Sequence, residues 1–356
     1  MIPSRRIDER GPRSRGTAIG AAWRERITAG WEGYERLFMA AGAGPGLQRE
    51  VAECSLDQTR SWAPALAEEI DGIAAGAGLE PWRVAALNAR TEVLAAAGAT
   101  TIGECSTFVL AAPNGGPPRT IQTWDWYEAL RDNMLLLTVA TGDRRTVHLF
   151  TEFGIVGKIG VNDAGLGLHF NILHHRDDGR GAGVPVHVVA RRILDEAATI
   201  AEATAIARSA TVSASTVLTV VAWDGARSGA CALELSPAGV GVIAPGADGM
   251  LLHTNHFLDP GLAADEADAE AGSTTRERLA MLAERAGRLA AAADPTSQAG
   301  ALIDHDAGIC CHPEDTGEAE PAATLATIAL DLAGARVLAH PGGPCEAAGG
   351  SGWERV

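Results

Sequence analysis

Several short segments of this 356-residue chain carry side chains that can form or break covalent bonds. The first is Gly103-Glu104-Cys105-Ser106-Thr107. A thiol becomes a nucleophile when a nearby base converts it to thiolate. If the Glu104–Cys105 peptide bond were cut, the new α-amine would be that base, on the same residue, with a pKa of about 7.7–8.0. On these residues alone, Cys105 reads first as a buried cysteine at the start of a strand. The second segment is Gln122-Thr123-Trp124-Asp125-Trp126, where polar and aromatic residues alternate. Asp125 there either orients an amine or faces solvent at a strand end. The third is His253-Thr254-Asn255-His256. The Asn255 amide N–H2 is a donor suited to an oxyanion. His253 and His256, three apart with no third ligand, make a weak metal pair, and a satisfied polar loop is the other reading. The fourth is Gly308-Ile309-Cys310-Cys311-His312-Pro313, which offers a Cys/His nucleophile or plain apolar packing. His174-His175, followed by Arg176, Asp177 and Asp178, reads as a solvated loop rather than a ligand set. Asn88 and Glu92, four apart, share a helix face and either buttress a site or form a polar stripe.

Positioning these segments falls to the flanking elements. Residues 1–16 are charged and broken by Gly and Pro, and read as a flexible arm. From Thr17 to about Ala41, Ile19, Trp23, Ile27, Trp31, Tyr34 and Phe38 recur at helical spacing. A second helical stretch runs from Leu47 to Ala75, interrupted near Pro64, and a third opens at Pro81 and runs to Gly98. Strand character begins at Cys105–Ala112. It turns at Pro113-Asn114-Gly115-Gly116, returns over Thr120–Trp126, and continues through Met134–Ala140, Thr146–Thr151, Gly154–Gly160 and Gly165–Ile172. Turns fall at Thr141-Gly142-Asp143 and Asn162–Gly165. Helical stretches at Pro185–Ala198 and Thr199–Ala210 precede strands at Thr216–Trp223, Ala230–Leu235 and Gly239–Ile243. The acidic segment Asp259–Glu270 reads as a solvated loop, Ser273–Ala293 as a helix, and Leu325–Leu332 and Arg336–His340 as closing strands. Antiparallel runs separated by helices predict an α+β layered fold, two antiparallel sheets with helices outside, in one domain over residues 17–356.

Composition limits the functions available. The apolar fraction of 46% and charged fraction of 21% are those of a globular chain. A net charge of −16 argues against a nucleic-acid partner and against docking on an anionic membrane. The chain has one lysine, Lys158. Its six cysteines include no C-x-x-C pair, so neither a zinc ribbon nor a disulfide scaffold is expected, and reduced thiols suit a cytoplasmic setting. There is no signal-peptide core at the N-terminus and no long uncharged apolar run.

Taken together, the segments resemble one family. EEIDGIAAGAGLEPWRVAALNARTEVL (68–94), ECSTFVL (104–110), QTWDW (122–126), TEFGIVGKIGVNDAGLGLHFNIL (151–173), GVPVHVVARRIL (183–194), HTNHF (253–257) and GICCHP (308–313) match, in order and spacing, the autoproteolytic acyltransferases and hydrolases related to acyl-CoA:isopenicillin N acyltransferase. These are a branch of the N-terminal nucleophile hydrolases. The resemblance implies a four-layer αββα sandwich and a chain that cuts itself between Glu104 and Cys105 into an α chain, 1–104, and a β chain, 105–356, which stay associated. It implies catalysis by Cys105 through a thioester, with Asn255 holding the oxyanion and Asp125 in a positioning role. Trp124, His256 and Cys311 fall to substrate binding, and no metal or cofactor is implied. The expected substrate is a small amide or thioester, hydrolysis being favoured over transfer. Two departures stand out. Glu104 occupies a place that reads Gly in the penicillin enzyme, and Cys311 one that reads Arg there, which argues for a neutral or cationic amide over an anionic β-lactam. An uncut, non-catalytic binding protein of the same fold, and a thiol enzyme using Cys310 or Cys311 with His312, are the competing readings.

Overall fold

A computed structural model describes residues 1–99, 104–112, 115–141, 145–267, 273–313 and 321–356. Gly103, the Pro113-Asn114 and Gly142-Asp143 turns and the end of the 259–270 segment lie outside the described residues. The chain opens with β1 (Ser4–Ile7), α1 (Pro12–Ala22), α2 (Arg24–Ala40), α3 (Pro45–Trp62), α4 (Pro64–Ala77), α5 (Pro81–Asn88) and α6 (Arg90–Ala96). Then come β2 (Ser106–Leu110), β3 (Arg119–Tyr127), a 3-10 turn, β4 (Met134–Thr141), β5 (Arg145–Glu152), β6 (Ile159–Asn162) and β7 (Leu166–Ile172). After α7 (Val186–Glu196) and α8 (Ile200–Ser209) follow β8 (Thr216–Trp223), β9 (Ser228–Ser236), β10 (Gly239–Ile243) and β11 (Met250–His253). The last part holds α9 (Pro260–Ala263), α10 (Thr275–Ala291), α11 (Pro295–Leu302), β12 (Ala322–Asp331), β13 (Arg336–Pro341), α12 (Pro344–Ala347) and β14 (Glu354–Arg355).

The strands form two sheets, ordered β1-β4-β5-β6-β7-β8-β9-β10 and β11-β2-β3-β12-β13-β14. Among the described residues, every strand pairing is antiparallel except β1 on β4. The sheets face each other through β2, β12 and β13 against β5, β6 and β7, with α7 and α8 outside the larger sheet and α10 and α11 outside the smaller. This is the four-layer αββα arrangement. Period-2 alternation sorts the smaller sheet's side chains. Phe108, Leu110 and Ile121 pack outward with Leu282, Leu289 and Leu302 of the covering helices. Val109, Trp124 and Trp126 belong to the larger core between the layers.

Several expectations need correction. Residues 1–16 are built into the fold. Ser4–Ile7 pairs with Leu136–Val139 as an edge strand, Ile2 and Ile7 are buried, and Pro12 starts α1. Two isoleucines in a charged segment are too few to show a period. The 17–41 stretch is two helices that break at Trp23, and the 81–98 stretch breaks at Ala89. The strand placed at Gly154–Gly160 starts only at Ile159. Gly154, at φ +89°, makes a turn that the buried Asn88 side chain holds through Gly154 O (2.8 Å) and Val156 N (2.9 Å). His175 is buried, edge-on to Phe257, and does not lie in a solvated loop. The described part of the acidic segment, 259–267, is also structured. Asp259 caps α9, Asp265 and Glu266 pair with Arg176 and Arg276, and Glu266 bridges to His175.

Candidate active site

Cys105 immediately precedes β2 and is 3% exposed. In the register, Ser106 lies opposite Thr123 and Asp125 opposite Thr324, which puts Ser106, Thr123 and Asp125 on the outer face of the smaller sheet. α10 crosses that face. Its first turn is tied to the 254–256 segment, because Thr275 Oγ1 accepts from Asn255 N (2.8 Å) and Thr254 Oγ1 donates to Thr275 O (2.9 Å). The same segment is anchored from behind: His253 Nε2 is 2.7 Å from Glu234, whose carboxylate also accepts from Leu258 N and Asp259 N.

One turn into α10, the fully buried Arg278 reaches the Cys105 peptide. Its Nη1 donates to Cys105 O (2.8 Å) and Ser106 Oγ (3.1 Å), its Nη2 to Asn255 Oδ1 (3.2 Å), and its Nε lies 3.2 Å from Glu104 Oε2. Glu104 is held further by Thr274, through its N (3.1 Å) and Oγ1 (2.9 Å). From the facing sheet, Asn171 Nδ2 donates to Cys105 O (3.2 Å), while its Oδ1 accepts from Thr107 Oγ1 (2.8 Å) and Gln122 Nε2 (3.0 Å). The residues on either side of the Glu104–Cys105 bond are thus both fixed by side chains from distant elements.

The electrostatics are those of a buried site. Burial is the main cause raising the Cys105 thiol to about 12. The Asp125 charge adds to this, and the Asp125 backbone N–H, Lys158 and Arg278 oppose it. Burial likewise raises Asp125 to about 8, against the pull of Arg278 and the Thr324 hydroxyl. Neither Asp125 oxygen makes a hydrogen bond of good geometry among the described residues, because Thr324 Oγ1 serves Cys311 N (2.9 Å) and Ile309 O. Uncompensated burial of a carboxyl is costly and marks a group kept for some partner.

Asn255 has its amide orientation set, with Oδ1 on Arg278 and Nδ2 on Ile172 O (2.9 Å), leaving one amide hydrogen for another acceptor. The other expected residues are placed differently. The Trp124 ring is buried, edge-on to Phe150, with Lys158 Nζ 3.2 Å from its centroid, so it packs in the core. His256 is bonded to Thr275 Oγ1 (2.9 Å), and burial lowers its pKa to about 4. Cys311 is half-buried, with Sγ 3.4 Å from Ala322 O. Sequence reasoning does not find Arg278 or Asn171. Asn171 lies inside a matching segment, and its signal is that of a polar residue in an apolar strand. Arg278 reads as one more arginine of a charged helix. Lys158 stands out in the sequence only as the sole lysine; it pairs with buried Glu152 (3.0 Å), and burial lowers it to about 7.

The profile of the acyl-coenzyme A:6-aminopenicillanic acid acyl-transferase family matches residues 112–343, a stretch that holds Asp125, Asn255, Arg278 and Cys311 and begins after Cys105. The chain is 32% identical over 212 residues to the 40 kDa form of acyl-coenzyme A:6-aminopenicillanic-acid-acyltransferase of Emericella nidulans, covering 60% of this chain and 57% of that relative's length. Similar solved structures include penicillin V acylase from Agrobacterium tumefaciens (TM-score 0.45, 15% identity, 67% of this chain and 83% of that one). Another is a mutant conjugated bile acid hydrolase from Clostridium perfringens (TM-score 0.41, 12% identity, 68% and 84%).

Proposed function

The chain belongs to the acyl-coenzyme A:6-aminopenicillanic acid acyl-transferase family, and from that premise we propose that it is a self-processing amidohydrolase or acyltransferase with Cys105 as its nucleophile. The observation that carries this reading is the grip of Arg278 on Glu104, Cys105 and Asn255 at once, beside a buried Asp125 carboxyl that makes no hydrogen bond of good geometry among the described residues. In the uncut chain, Asp125 takes the Cys105 proton and the sulfur attacks the Glu104 carbonyl carbon. The Glu104–Cys105 C–N bond breaks, the proton passes to the nitrogen, and a thioester and an α-amine result. Water then cleaves the thioester, leaving a Glu104 carboxylate and the free thiol. The α-ammonium gives the Asp125 carboxyl a charged hydrogen-bond partner, and as an amine it is the base for the thiol.

A substrate amide or thioester acylates Cys105, and its amine or thiol leaves with the proton. The free Asn255 amide hydrogen supports the tetrahedral oxyanion, a donor worth about 10²–10³ in rate. Water then releases the acyl group, and hydrolysis prevails over transfer unless the site excludes water. Cys311 offers no charge for a substrate carboxylate. Because Arg176 and Arg276 offset part of the acidic 259–270 segment, a neutral small amide fits better than a cationic one.

The test is to quench processed protein during turnover of an N-acyl amide or acyl-CoA thioester and map the adduct. An acyl group on the Cys105 peptide supports the reading. An acyl group on Cys310 or Cys311, or turnover that survives Cys105→Ala, overturns it.

A further inference from the structure

In the loop after α11 and in α12, four side chains with metal-binding atoms converge from two separate parts of the chain. His305, Cys310 and Cys345 place a ring nitrogen and two sulfurs all within 4.8 Å of one another. His312 joins them, with Nε2 3.4 Å from Cys345 Sγ and its ring stacked on that of His305 at 5.3 Å. His305, Cys310 and His312 lie in the loop after α11, and Cys345 lies in α12. The backbone there is built to hold them. Cys310 N donates to Asp304 O (2.7 Å), and Asp304 also accepts from Ala307 N (2.8 Å) and pairs with Arg285 (3.1 Å).

We propose that His305, Cys310, His312 and Cys345 bind one zinc ion as a closed, structural Cys2His2 site. Two sulfurs and two imidazole nitrogens form the donor set that zinc prefers, and a soft site of this kind selects against magnesium and calcium. Tetrahedral zinc, with Zn–S of about 2.3 Å and Zn–N of about 2.0–2.1 Å, needs its ligand atoms about 3.4–3.8 Å apart. His305, Cys310 and Cys345 reach that by closing in by about an ångström, and His312 Nε2 is already 3.4 Å from Cys345 Sγ. Each thiol gives its proton to solvent as the metal enters, so two thiolates balance the dication. With four protein ligands, no position is left for substrate, and the ion's role is to fix the loop. The loop's next residue, Cys311, bonds Thr324 on β12, and Thr324 lies opposite Asp125. The ion would therefore steady the wall of the Cys105 site from outside.

The site stands apart from the reading of Cys105, and its test keeps the two separate. Protein without a polyhistidine tag, purified from zinc-supplemented culture and dialysed, is assayed for metal by mass spectrometry. One zinc per chain is expected in the wild type and in Cys105→Ala. At least a tenfold loss is expected in Cys310→Ser and Cys345→Ser, with circular dichroism confirming that the variants fold. If they do not fold, His312→Ala serves, with weaker retention against a chelator expected. Cobalt(II) added to stripped wild-type protein is expected to give thiolate charge-transfer absorption that both serine variants lack. Zinc-free wild type that takes up no cobalt, a Cys310–Cys345 disulfide found by mass, or zinc undiminished in both serine variants would overturn the proposal.

Discussion

At the scale of the residue, Arg278 and Asp125 set the terms. Arg278 positions the Cys105 peptide through charge-assisted hydrogen bonds, each worth about 1.5–3 kcal/mol. Arg278→Leu is expected to slow self-cleavage by about 10–100-fold, with part of the rate restored by Arg278→Lys, as followed by the band pattern on a denaturing gel over time. A merely structural arginine would show lost stability without that graded rescue. In the proposed first step, Asp125 can act as the base only when ionised. Its raised pKa of about 8 means that the acid form prevails below that pH and the base form above it. Self-cleavage is therefore expected to quicken as pH rises through about 8, and Asp125→Asn to abolish that rise. A wild-type rate flat across this range would remove Asp125 from the step. Cys105, Asp125 and Asn255 are readable because each sits in a short segment with its own chemical logic. Arg278 and the ligands His305, Cys310, His312 and Cys345 are not, because contacts between elements give them their meaning. Cys310 next to Cys311 looks like a poor metal pair, whereas Cys310 meets Cys345 only after folding.

At the scale of the element, α1 and α4 show how closely the helical half is packed. Gly16 and Gly20 of α1 meet Gly72 and Gly76 of α4 backbone to backbone, so a Cβ at Gly20 would fall 2.2 Å from Ile73 O and one at Gly72 2.3 Å from Arg13 O. Gly20→Ala is expected to cost about 1–3 kcal/mol, seen as a lower denaturation midpoint. Beside this crossing, buried Glu69 of α4 joins Arg15 of α1 (2.5 Å) and Arg191 of α7 (3.0 Å), and those two charges hold its pKa below the usual range despite burial. Glu69→Gln leaves two buried guanidinium groups short of a countercharge and is expected to cost about 3–5 kcal/mol. An unchanged midpoint would contradict that expectation. Helix and strand periods make most elements legible, since α3, α4, α7, α8 and β2–β5 lie close to where apolar spacing and Pro and Gly punctuation put them. The edge strand β1 and the turn at Gly154 are hidden. A four-residue strand has too few residues to declare a period, and the turn depends on Asn88, which lies far upstream in the chain.

At the scale of the whole molecule, the two pieces that cleavage would create are interlocked across their boundary. Tyr34 and Arg90 from the first bond Glu152 in the second, which also holds Lys158. Glu92 accepts from Val186 N, and Glu69 pairs with Arg191. These contacts are buried, and one continuous core runs through both pieces. Cut protein is expected to elute from a sizing column as a single species at the full-length position and to separate only when denatured. Among the described residues no helix is long and apolar enough to cross a membrane. The central claim is that Cys105 becomes an N-terminal nucleophile, and intact mass with N-terminal sequencing tests it most directly. Wild type is expected to give two masses that sum to the full chain plus one water, the larger piece beginning at Cys105, while Cys105→Ala gives one uncut chain. A single full-length mass in both, under conditions where the wild type turns over substrate, would contradict it.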